Sequence, residues 1–178
     1  MLNAIESRLA AIVGDGLSTR AHLSVVQAPA AIDDVAAAGV AVRVSITEWT
    51  PEPAFERGNL HLTTGENPTS RRALPLRFSA KLEFRARPAT NSSAAELTAR
   101  GLLLEDLSFA AHLLGAEDVR SGIAFATAVP DPGFRVRAFQ VRGGSAAIQL
   151  AGDLLAAELT SEGQGLIWPP SVSRDEGT

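Results

Sequence analysis

The chain contains no cysteine and no tyrosine, a single methionine and two tryptophans, and aromatic residues make up 5% of its 178 positions. Without cysteine there can be no disulfide, no thiolate nucleophile and no Cys-ligated metal. With so few aromatics, the core has to be assembled from Leu, Val, Ile, Ala and Phe. No apolar run approaches the ~20 residues of a membrane-spanning helix. The N-terminus, Met1-Leu2-Asn3-Ala4-Ile5-Glu6, lacks the basic stretch and apolar core of a secretory signal. The sequence therefore predicts cytoplasmic assembly with no membrane partner. Lysine is scarce and the net charge is −4. That balance argues against a partner held by phosphate neutralisation, so no nucleic-acid recognition is expected.

What is present is strong patterning. The chain is long enough to bury a core without staples. It reads as one α+β domain over 1–170 with a polar tail over 171–178. The best-patterned stretch runs from Leu74 to Gly115. Leu76, Phe78, Ala80, Leu82, Phe84 and Ala86 alternate with Arg77, Ser79, Lys81, Glu83, Arg85 and Arg87. That period of two predicts a strand with one buried and one wet face, stopped by Pro88. Ser93 and Glu96 fit a capping box. Leu97, Leu103, Leu104, Leu107, Ala110, Ala111 and Leu114 then form an apolar helical stripe closed by Gly115. Gly101 lies inside this helix, where close packing on the sheet would explain it.

Other segments follow the same rules. Leu2, Ile5, Leu9, Ile12 and Val13 recur at helical spacing, with Asp15-Gly16 as the stop. His22–Gln27 reads as a short strand closed by Pro29, and 29–39 fits a helical turn or an irregular loop. Val40, Val42, Val44 and Ile46 predict a second strand reaching Trp49, antiparallel to the Leu76 strand. Between them, 50–73 shows no period and reads as a long arm, the kind of connection that is usually functional or disordered. Phe55, Leu60 and Leu62 give it apolar docking points. Ile123–Ala128 reads as a strand, Pro130-Asp131-Pro132-Gly133 as a turn. At Phe139 and Val141 the apolar phase of the next strand shifts, which hints at a bulge. Gly143-Gly144 reads as a turn, Ala147–Thr160 as a strand or short helix, and Leu159-Thr160-Ser161-Glu162 as the start of a polar turn. The architecture expected is a mixed, mainly antiparallel sheet packed by an N-terminal helix and a long central helix.

No constellation in the sequence carries chemistry. His22, His61 and His112 fall on separate elements with no metal-ligand spacing. The neighbouring acids Asp33-Asp34, Glu105-Asp106 and Glu117-Asp118 point to different faces and read as surface charge. No serine sits in Gly-x-Ser-x-Gly. The Gly-rich stretches Gly143-Gly144-Ser145 and Gly163-Gln164-Gly165 lack a phosphate-binding pattern. No catalytic residue, no cofactor and no metal are expected, and the chain does not read as an enzyme. Trp49 and Trp168 read as core residues or as interface anchors. Arg77, Lys81, Arg85 and Arg87 form either a solvated strand face or a contact surface.

The order of elements resembles the tail-terminator or tube-cap proteins of phage tails and contractile injection systems. The likeness spans roughly Met1 to Trp168. It rests on the N-terminal helix, the short strand ending at Pro29, and the Val40–Trp49 strand with its long polar insertion. It continues through Pro75 to Phe78, matching a Pro-Leu-x-Leu strand of that family, and the helix ending Leu113-Leu114-Gly115. A late acidic segment at Glu162 then precedes Trp168. Two departures stand out: Glu83-Phe84-Arg85 replaces a strand end with a Tyr-Leu pair, and the family often has a longer segment after the helix. The resemblance implies a homo-oligomeric ring, usually of six subunits. Such a ring sits on the last ring of the tail tube, ends tube growth, binds the sheath and becomes part of the tail-like particle. It also implies a protein without a catalytic site, and it gives the 50–73 arm a neighbour to reach. A connector or baseplate subunit of the same machinery, and a ligand-binding or adhesive β-rich domain, remain as alternatives.

Overall fold

A computed structural model describes residues 2–27, 31–32, 35–51, 74–126, 134–151 and 154–167. The arm residues 52–73 (with Phe55, Leu60, His61 and Leu62), Pro29, Asp33-Asp34, the Pro130–Gly133 turn and the tail from Trp168 lie outside them. The alternating strand is the centre of the molecule. It runs Leu74–Ala86 (β3) and pairs antiparallel with Val40–Pro51 (β2) on one side and Leu154–Ile167 (β5) on the other. Leu23–Gln27 (β1) adds to β2 in parallel, and Phe134–Ala151 (β4) adds to β5 antiparallel. The sheet order is β1-β2-β3-β5-β4. The expected α+β architecture is therefore the one observed.

Two helices cover one face of this sheet. Leu2–Gly16 (α1) lies over β1 and β2, and Ser93–Leu114 (α2) lies over β3, β5 and β4. Beneath them Leu76, Phe78, Ala80, Leu82, Phe84 and Ala86 are all buried, as the period of two requires. They join Leu9, Val13, Leu103 and Leu114 in one core. Each large apolar side chain buried this way stabilises the fold by about 1.5–3 kcal/mol. Among the described residues the other face carries no helix. At its far end Ile32 and Val35 pack on Ala41 and Leu154.

Several local expectations need correcting. The α2 N-cap is Ser92, one residue earlier than the Ser93 box; its side chain accepts from the Ala95 N–H at 3.2 Å. Gly115 ends α2 in the right-handed region, at φ −83°, and Gly16 is not left-handed either. At Gly16 the missing side chain makes room for Leu113 of α2. Gly101 is exposed, with open space around it, so sheet packing does not account for it. Leu97 and Leu104 also point outward. The buried stripe of α2 is Ala99, Leu103, Asp106, Ala110 and Leu114.

The second half of the chain is more continuous than its glycines suggest. Glu117–Arg120 forms a short helix (α3), and the expected strand from Ile123 is a 3-10 turn, Ile123–Phe125. β4 passes straight through Gly143-Gly144, and β5 passes straight through Leu159–Glu162. These residues do not turn because each has a ladder partner: Gly143 faces Thr160 and Gly144 faces Leu159. The phase shift is a bulge at Arg137, between the pairs of Val136 and Ala138, with a second at Arg142. The first bulge brings Phe139 back onto the buried face beside Phe78 and Phe125, at 6.2 and 5.3 Å between ring centroids. Gly163 is required here, because a Cβ at that position would overlap the Phe78 ring.

Candidate functional site

The turn between α1 and β1 is fastened to α2 by charge. Asp106 is in step with Leu103 and Ala110 on the buried stripe, and its side chain is 0% exposed. This corrects its reading as surface charge. Desolvating a carboxylate is costly unless it is paired and hydrogen-bonded. Here Arg20 and His22 reach in from the turn: Arg20 Nε forms an ion pair with Oδ1, and His22 Nε2 lies 2.8 Å from Oδ2. Arg20 also binds Glu105 at 3.0 Å and lies 5.6 Å from the Phe109 ring centroid. Its hydrogen bond to Glu105, helped by Asp106, holds the guanidinium above its usual pKa.

A buried carboxylate orienting a histidine is half of a general-base arrangement. The other half is not found, since no hydroxyl among the described residues hydrogen-bonds His22. The cluster is best described as a latch between the turn and α2. His112 stands apart, exposed in the last turn of α2.

A second buried acid supports the sheet edge. Glu6 of α1 accepts the Ile46 N–H at 2.7 Å and Gln27 Nε2 at 3.1 Å. β1 ends at Gln27, opposite Val44. The Glu6 carboxylate thus takes the place of a strand neighbour for the next outward-facing amide of β2. Thr47 is the extra residue of a bulge just beyond, between the pairs of Ile46 and Glu48. The bulge places Trp49 opposite Phe78 on the helix-bearing face. Trp49 is nonetheless 54% exposed, so it is not a core residue.

The helix-free face is a mixed charge lattice. Arg77 is exposed there, while Lys81, Arg85 and Arg87 are half-buried. Neighbouring strands supply the opposite charges. Lys81 contacts Glu158 of β5 at 2.6 Å and Glu83 at 3.4 Å, Arg43 of β2 binds Glu83, and Arg142 binds Glu162 at 2.7 Å. Arg77 and Arg87 are also engaged in interactions. Burial raises the Glu83 pKa, but the hydrogen bond and charge of Arg43, with Lys81, outweigh it and hold the carboxyl below its usual range. The hydrogen bond to Glu158 chiefly holds Lys81 above its own. At Lys81 the basic face that reads along β3 alone meets an opposite charge from the neighbouring strand.

One cleft of about 250 Å³ opens at the β4 edge of the sheet. Glu117, Arg120 and Ser121 of the α3 region form one wall. Ala138, Phe139 and Gln140 of β4 form another, with Glu162 and Gln164 of β5 behind them. Nothing in the sequence pointed to this cleft, since its walls come from segments far apart in the chain. Among the described residues, no group of three His, Asp or Glu side chains could hold a metal ion. No helix among them is long and apolar enough to cross a membrane. No protein-family model matches the chain, and no curated protein is detectably similar to it.

Proposed function

We propose that this chain is a non-catalytic structural subunit of the tail-terminator type, which assembles with copies of itself into a ring and caps a tail tube. The observation that carries the reading is Trp49. A large amphipathic residue stands 54% exposed at the end of a strand whose outer side, among the described residues, has no strand neighbour over 45–51. Tryptophan is enriched among the residues that dominate binding energy at protein interfaces. It also stands at the root of the 52–73 connection, the arm that the resemblance assigns to a neighbouring subunit. The element order helix, strand, strand, long connection, strand, long helix supports the same reading.

A ring requires a head-to-tail interface that closes on itself. Native mass spectrometry over a concentration series, alone and with tail-tube protein, tests this. The expected result is a single closed oligomer, with six copies the first expectation. A chain that stays monomeric at every concentration, and ignores tube protein, would refute the proposal.

A further inference from the structure

The outward side of α2 carries a second stripe, opposite the one that faces the sheet. Leu97, Gly101, Leu104 and Ser108 are all exposed, Leu97 at 68% and Leu104 at 39%. They recur at steps of four, three and four residues, which is the seam spacing of a two-stranded coiled coil. The buried stripe from Ala99 to Leu114 lies on the other side of the helix. Gly101 adds no side chain, and the space around it is open, so a gap separates the two leucines.

The residues beside this seam select what can cover it. Leu97 and Leu104 take the d positions of a heptad, Gly101 and Ser108 the a positions. Arg100 then falls at g on one flank and Glu105 at e on the other. Both are exposed, Glu105 at 61%. A two-fold axis along the seam relates two parallel helices and brings each g beside the e five residues further along its partner. Arg100 of each copy thereby meets Glu105 of the other, so the pair forms twice. The other g-to-e neighbours of this alignment, Ser93 with Thr98 and Leu107 with His112, bring no like charges together. An antiparallel two-fold pair would set each flank against its own kind and keep Arg100 on the side away from Glu105. Glu105 holds Arg20 through Oε1, and its other oxygen can take a second guanidinium.

We propose that the outward face of α2 docks a second copy of this chain, the two α2 helices pairing in parallel. The face is self-complementary in charge in that arrangement. Leu104 of each copy seats among Gly101, Leu104, Glu105 and Ser108 of the other, as a knob in a hole. Each sheet lies behind its own helix, so the two domains stand on opposite sides of the seam. The contact is isologous and closes at two copies. It goes beyond the ring reading and does not depend on it, since Trp49 lies on another element. A closed assembly that used both contacts would hold an even number of copies, six included.

The test reverses one charge at a time. Paired with itself, an Arg100→Glu chain sets acid against acid, and a Glu105→Arg chain sets base against base. Paired with each other, the two variants recover both attractions. Light scattering over a concentration series is expected to show wild type as a dimer or an even-numbered assembly. Each variant alone should associate about tenfold more weakly, as for the loss of two exposed ion pairs. Native mass spectrometry of an equal mixture should show one-to-one pairs at wild-type strength. Leu97→Ser, at a position the fold leaves exposed, should weaken association to a similar degree. Circular dichroism confirms the fold of each variant. Where Glu105→Arg disturbs Arg20, Arg100→Glu and Leu97→Ser decide the matter, because neither residue takes part in the latch. A wild type that stays monomeric overturns the proposal, as does a mixture no better associated than its separate components. A closed oligomer that Arg100→Glu and Leu97→Ser leave unchanged removes this contact and keeps the ring reading. A dimer that these substitutions dissociate, and that ignores tube protein, does the reverse.

Discussion

Removing the Asp106 carboxylate should unfold a large part of the stability reserve, and the size of the effect follows from its surroundings. Asp106→Ala takes from Arg20 and His22 the buried carboxylate that both contact. Breaking a buried pair in this way costs about 3–5 kcal/mol. The lower end applies here, because the Arg20 and His22 side chains are 15% and 26% exposed and can turn partly to water. Arg20 also keeps Glu105. The expectation is therefore about 3 kcal/mol, which for a chain of this length lowers the melting temperature by roughly 6–12 °C. Glu105→Ala is the internal control. That carboxylate is 61% exposed, so its pair with Arg20 is screened and contributes about 1 kcal/mol or less. Urea unfolding at constant slope measures both. Equal losses for Asp106→Ala and Glu105→Ala would refute the description of Asp106 as the buried centre of the latch.

Other expectations are simpler. Glu83 has a folded-state pKa below its unfolded one, so the stability it contributes is present above the unfolded value and is lost as pH falls through the folded value. Stability should decline in that acid window, and Glu83→Gln should flatten the decline in a pH series of denaturation midpoints. Gly101→Ala should stabilise by roughly 1 kcal/mol, since the site is an exposed helix interior with free space; a loss in thermal melting would contradict the described packing. Gly163→Ala should destabilise by about 1–3 kcal/mol by forcing the Phe78 ring aside. A Gly163→Ala protein as stable as wild type would mean that the ring has another place to go.

The sequence carried the fold where one period dominated. β3 and its partner β2 were legible because one wet face and one buried face leave a clean alternation, and α1 because its stripe is narrow. Errors arose where a neighbour overrode a local signal. Gly143-Gly144 looks like a turn in isolation, yet β5 supplies ladder partners that keep it extended. Ser161 looks polar and loop-like, yet it is buried in β5, where its hydroxyl finds no partner among the described residues. Ile123 begins a run that reads as a strand, but the chain there closes into a single 3-10 turn.

The functional surfaces were less legible still. Asp106 carried a usable signal, being an acid on the buried phase of α2, but the two side chains that make it tolerable lie 84 and 86 positions away. The same distance hid the neutralisation of Lys81 by Glu158. Trp49 was visible as a residue type, whereas its exposure depends on the Thr47 bulge and on where β1 stops.

The sheet order has a kinetic consequence. β4 and β5 are joined by the short connection 152–153, so their hairpin closes cheaply. The β3–β5 pairing is different: its nearest partners are Ala86 and Leu155, and its farthest are Leu74 and Ile167. All of α2 and all of β4 lie in between. Pairing across so long a stretch of chain is slow, because entropy is lost before contacts repay it. Until that seam closes, Phe78 and Phe84 lack the strand that completes their surroundings. The rate of folding should therefore respond to substitutions along the β3–β5 seam more than to those in the β4–β5 hairpin, and the open seam is the state from which the newly made chain is exposed to aggregation.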